Sequence, residues 1–142
     1  FREEVVAFQR DLTRTADALA EHLDRVEAMQ TALDRAAATD VELEARLHEA
    51  RTGLLELREE LQGSEAKTEI GEKSPPTPGD RLTYAVSGLS TTHGPTDQHV
   101  RTVEAGRAEL APIREEVMRY GEQVLPALER SLETVGAPPV EE

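Results

Sequence analysis

Leu43, Leu47, Ala50, Leu54, Leu57 and Leu61 follow one another in alternating steps of four and three, with charged residues filling many of the gaps. On an α-helix that spacing gathers six apolar side chains into one narrow stripe, which a lone helix cannot keep out of water. The same alternation runs earlier through Phe1, Val5, Phe8, Leu12, Thr15, Leu19, His22, Val26, Met29, Leu33 and Ala36. It runs again through Val103, Gly106, Leu110, Ile113, Val117, Tyr120 and Val124. Three such stripes predict an all-α protein whose helices bury their seams against each other.

Breaks in the pattern set the boundaries. Helix 1 is expected from the start to about Ala37, and "AATD" then makes a short turn with Thr39 or Asp40 as the next N-cap. Helix 2 is expected over about 40–62, stopped by Gly63. The last helix is expected from the N-cap Thr96 to Val135, with Gly136 beyond it. Pro112 and Pro126 each remove a backbone donor, so bends or brief breaks are expected there. Just past Pro126 the stripe shifts by one residue, to Leu128, Leu132 and Val135.

Helix lengths constrain the middle of the chain. The outer helices span about 37–40 residues and helix 2 only about 22, which leaves ~20 Å of both outer seams without a third member. The stretch "PGDRLTYAVSGL" supplies the cover, as a short helix over about 79–89 capped by Asp80. Its Leu82, Val86 and Leu89 are expected to lie buried against the N-terminal half of helix 1. The expected architecture is an elongated antiparallel bundle of three long arms, the middle arm split into helix 2 and the short helix. Residues 1–142 form a single bundle domain in this reading, with 63–78 as an exposed, flexible link. Because "FREEVVAFQRDL" opens in full helical stride without an initiator Met, the chain is expected to be a piece of a longer protein.

Charge narrows the partners. A net charge of −13 repels phosphate backbones and anionic lipid, so neither nucleic acid nor a basic attachment to membranes is expected. No run approaches the ~20 apolar residues of a transmembrane span. With no Cys, disulfides, thiolate metal sites and thiol catalysis are all excluded.

The remaining chemistry is sparse. A carboxylate-bridged metal pair needs Glu three residues ahead of His, and His22, His48, His93 and His99 all lack it. His93, Asp97 and His99 in "HGPTDQH" are the tightest set of potential ligands, but Asp97 suits the first turn of a helix and His93 precedes a Gly-Pro turn. Lys73 and Ser74 in "GEKS" lack the glycine spacing of a phosphate loop. No catalytic, cofactor-binding or metal residues are therefore assigned, and no cofactor is expected. Gly106, and the Ala16/Ala20 face of helix 1, offer close helix approach.

The segment "PPTPGDRLTYAVSGLSTTHGPTDQH", with "LPALERSL" and "GAPP" downstream, resembles the C-terminal helical region of bacterial sortilin-like (VPS10/BNR-repeat) β-propeller proteins, often labelled glycosyl hydrolases. The resemblance implies an exported protein, periplasmic or extracellular, whose propeller lies outside this chain; it assigns no catalytic residue. Together with the bundle, it implies a non-catalytic scaffold or protein–protein interaction module. Such a module would be a C-terminal appendage or processed piece of a propeller protein, docked peripherally on a larger complex, membrane-associated or not. The alternative is an accessory domain of an exported glycan- or peptide-processing enzyme with its active site in the missing propeller.

Overall fold

The computed structural model describes residues 1–36, 40–63, 76–90 and 94–136, and every regular element among them is helical. The elements are α1 (Arg2–Asp34), α2 (Val41–Gln62), α3 (Pro78–Ser87), α4 (Asp97–Arg119), a π-helical turn (Tyr120–Val124) and α5 (Leu125–Thr134). The chain divides into two compact units, one of Phe1–Ala16 with Arg58–Glu115 and the other of Asp17–Leu57 with Glu116–Glu142.

The stripes read from the sequence are the core. All six stripe residues of α2 are buried, and so are Val5, Phe8, Leu12, Thr15, Leu19, Val26, Met29 and Leu33 of α1. Thr15 is the polar member, and it satisfies its hydroxyl by donating to the Asp11 carbonyl one turn back at 2.8 Å. The ends follow capping chemistry. Asp40 accepts from the Leu43 amide at 3.0 Å to start α2, and Gly63, at φ +80°, stops it.

In the first unit, α3 starts beside the end of α2. Its Gly79 packs against the Leu61 carbonyl at the end of α2. It then runs antiparallel to α4, with Arg81 paired to Glu109 near one end and Tyr84 stacked on His99 near the other. Three details differ from the sequence expectation. The cap is Thr77 rather than Asp80: Thr77 accepts from the Asp80 amide, and the Asp80 carboxylate accepts from the Thr77 amide, a reciprocal capping box. Within the expected link 63–78, Thr77 and Pro78 are buried rather than exposed, while 64–75 lie outside the described residues.

The buried face of α3 is also rotated. Val86 is 43 % exposed, and Leu82 and Leu89 are only half-buried. Pro78, Ala85 and Gly88 point inward instead. The reason is size. A Cβ on residue 88 would stand 2.8 Å from the His99 ring, so only the small-residue face lets α3 approach α4 this closely.

In the second unit, α2 lies antiparallel to both α1 and the last arm, through Glu27–Arg51 and Arg46–Ser131 contacts. The last arm carries its irregularity here. α4 passes through Pro112 without interruption. Ahead of Pro126, however, the backbone widens into the π-helical turn, where the Leu125 amide donates to the Tyr120 carbonyl five residues back. The wide turn accommodates a proline that has no amide to donate and whose ring would crowd the carbonyl four residues earlier. It also explains the displaced stripe. The buried series steps from Tyr120 to Leu125, then to Leu128 and Leu132, while Val124 is only half-buried.

Candidate functional site

Among the described residues, three places combine polar groups with shape: a buried histidine between α3 and α4, a second histidine against the π-turn, and a groove beside that turn.

The first grows from "PTDQH", which starts α4. Thr96 caps the helix, its hydroxyl 3.4 Å from the His99 amide, and His99 Nδ1 accepts from the Thr96 amide at 3.0 Å. This is a capping box in which histidine replaces the usual Glu or Gln. The ring is 7 % exposed, stacked on Tyr84 at 4.8 Å between centroids and met edge-on by Phe1. Its Nε2 lies 3.4 Å from the Ser87 hydroxyl.

A serine beside a histidine invites comparison with a nucleophile and its base, but the tautomer is inverted. Because Nδ1 accepts from the cap, the neutral ring carries its proton on Nε2, which faces Ser87 as a donor. The Ser87 hydroxyl itself donates to the Tyr84 carbonyl. Neither group is arranged to take the serine proton, so the constellation is a joint between helices. Of His93, Asp97 and His99, the trio weighed and not assigned as ligands, His93 lies outside the described residues, Asp97 is exposed on the first turn, and the Nδ1 of His99 is engaged by the cap. Among the described residues no group of three His, Asp or Glu side chains is placed to hold a metal ion.

The second place is His22, on the α1 stripe. Its Nε2 is 3.1 Å from the Val117 carbonyl, which can only accept, so Nε2 carries the proton. The ring rests on Gly121 in the π-turn, where a Cβ would stand 2.9–3.0 Å from it. Nδ1 is buried and has no hydrogen-bond partner among the described residues. Burial holds the imidazole below its ordinary value of 6.5, with Arg25 pushing the same way; the Val117 bond and Glu21 oppose them. One turn along α1, Arg25 reaches Glu129 of α5 through one guanidinium nitrogen while its Nε stays buried and unpaired among the described residues.

The third place is an open groove of roughly 440 Å³ between α2 and the π-turn with α5. Ala50, Tyr120 and Leu128 give it an apolar floor, and Arg46, Glu49 and Arg119 flank it. Tyr120 fits because residue 53 is glycine: its hydroxyl lies 2.0 Å from where a Cβ would be. Arg119 lies 5.2 Å from the centroid of the Tyr120 ring and is held by both oxygens of Glu116, while Arg46 donates to Ser131. Burial raises the phenol above its ordinary value of 10.0.

No sequence motif pointed to this groove. Its signal is the pairing of Gly53 with Tyr120 across two helices, which a single sequence does not reveal. The spacing Thr96-x-x-His99 did announce a cap once histidine is admitted as the acceptor. The chain matches no family model, no curated protein and no solved structure.

Proposed function

We propose that the chain is a non-catalytic helical scaffold that works by contact with another protein, and that the groove of the second unit is where the partner docks. The observation that supports it is the contrast between groove and surface. In a chain with 29 acidic and 16 basic residues, the groove is flanked by two arginines and one glutamate over an apolar floor. The complementary occupant is an apolar protein segment carrying carboxylates, laid between two helices. The polar pairs that resemble catalytic machinery are engaged in caps and helix contacts, which supports the non-catalytic part of the reading.

A photo-crosslinking side chain at Gln123, on the groove rim, tests the proposal in the full chain, with the same probe at exposed Arg101 as control. A defined protein adduct at 123 only, whose purified partner binds at least tenfold more weakly after Arg46→Glu with Arg119→Glu, supports it. Identical adducts at both positions, or binding indifferent to both charge reversals, overturn it.

The likeness to sortilin-like propeller proteins extends the proposal to an exported protein in which this module is the appendage of a propeller. Its support is the set of residues quoted for it. Repeated Asp-box motifs encoded ahead of Phe1 would sustain that extension, and a reading frame without them would remove it.

A further inference from the structure

The π-turn has two functional sides. Through Tyr120 and Val124 it lines the groove, and through Gly121 it seats the His22 ring. His22 and the wall of the groove thus share the π-turn, within one unit of the fold.

The hydrogen bonds fix what protonation would do. In the neutral ring Nε2–H is satisfied by the Val117 carbonyl, and Nδ1 presents a bare lone pair to a buried place. A second proton must go on Nδ1, creating a buried N–H without an acceptor among the described residues and a cation beside Arg25. The charged groups acting on the ring are Arg25 and Glu21 of α1 itself, with Glu129 of α5 engaged through Arg25. From α4 and the π-turn the ring meets the neutral Val117 carbonyl and Gly121 backbone, and among the described residues no charged group of those elements acts on it. Glu21 is exposed, and Glu129 is drawn to the guanidinium, so neither is placed to receive the new proton.

We infer that His22 is a proton-operated latch on the π-turn: neutral, it holds Val117 and Gly121 and fixes the wall of the groove, and protonated, it leaves its seat and releases that wall. This inference rests on the proposed function only in naming the groove as the output. The ring meets the widened backbone at Gly121, so losing that contact acts on the turn itself.

The test is an NMR titration of the full chain from pH 7.5 to 5, following the His22 ring carbons and the amides of Gly121, Val124 and Leu125. The expected result is a His22 midpoint below 6.5, with the three amides moving at that same midpoint. In His22→Gln, which keeps a donor but cannot be protonated, the amides should stay flat over this window. Amides that ignore the His22 midpoint overturn the latch, as does a transition that persists in His22→Gln. The wild-type titration decides the matter alone if that variant does not fold. Because no partner enters the readout, an empty groove would sink the proposed function and leave the latch standing, while silent amides would do the reverse.

Discussion

Phe8 rests its ring on the bare backbone of Gly106: a Cβ there would stand 2.4 Å from the ring Cζ and 2.7 Å from Cε2. Ring and glycine belong to different helices, and the ring is fully buried. In an ordinary helix interior, replacing Gly by Ala gains about 1 kcal/mol. Here overpacking should reverse the sign, and Gly106→Ala should destabilise by about 1–3 kcal/mol. Urea unfolding of Gly106→Ala, Phe8→Leu and the double variant checks this. The double variant should be more stable than the sum of the single losses, because the smaller side chain vacates the space the methyl needs.

His22 predicts a pH dependence of stability. Its folded pKa lies below the unfolded value of 6.5, so between the two the unfolded chain binds more protons. The stability tied to the neutral ring is present above about 6.5 and is lost as pH falls through the lower folded value, by at most about 1.4 kcal/mol per pH unit for one proton. Thermal unfolding from pH 7.5 to 5 should show this decline in the wild type and a flatter profile in His22→Gln. Equal slopes would show that the ring does not titrate between the two states.

The cap of α4 yields a graded series. Thr96→Ala should cost about 1 kcal/mol, as for other N-caps. His99→Gln preserves a side-chain acceptor three residues on and should lose less than His99→Ala, which removes the acceptor and the ring stacked on Tyr84. Ser87→Ala should stay within about 0.5 kcal/mol of wild type, since its hydroxyl is exposed and bonded locally. Chemical denaturation orders the four variants, and a Ser87→Ala loss above that of Thr96→Ala would contradict the structural role given to the pair.

The face of α3 can be read by two neighbouring substitutions. Ala85 is fully buried and Val86 is 43 % exposed. Ala85→Leu should cost about 1–3 kcal/mol by overpacking, while Val86→Ala should change stability by less than about 0.5 kcal/mol. The opposite order would restore the Leu82–Val86–Leu89 face expected from periodicity.

That contrast marks where the sequence stops being readable. The stripes of α1, α2 and α4 were legible because large apolar residues recur there over many turns, and burial follows them almost residue by residue. The ten-residue α3 offers too few turns for periodicity to separate a stripe of medium-sized side chains from a face of small ones. Close approach decided it, through Gly88 under His99. The same limit hides the groove and the His22 seat: Gly53 and Gly121 gain meaning only from the rings that land on them. The one-residue displacement after Pro126 was visible in the sequence. Its cause, a turn bonded over five residues instead of four, needed the backbone.

The widened turn also resets the counting of the last arm. Residues before Tyr120 and after Leu125 belong to two frames that differ by one residue, or about 100° around the helix axis. A segment transplanted here from an uninterrupted helix would arrive with its hydrophobic side facing the wrong way from Leu128 onward. On either side of the turn, a length change keeps the stripe in register only as about seven residues, or two turns. Excising a single residue from 121–124 would remove the extra residue and leave Leu125, Leu128 and Leu132 on the buried stripe, whereas four-residue bonding at full length would swing Leu128 and Leu132 out of the core.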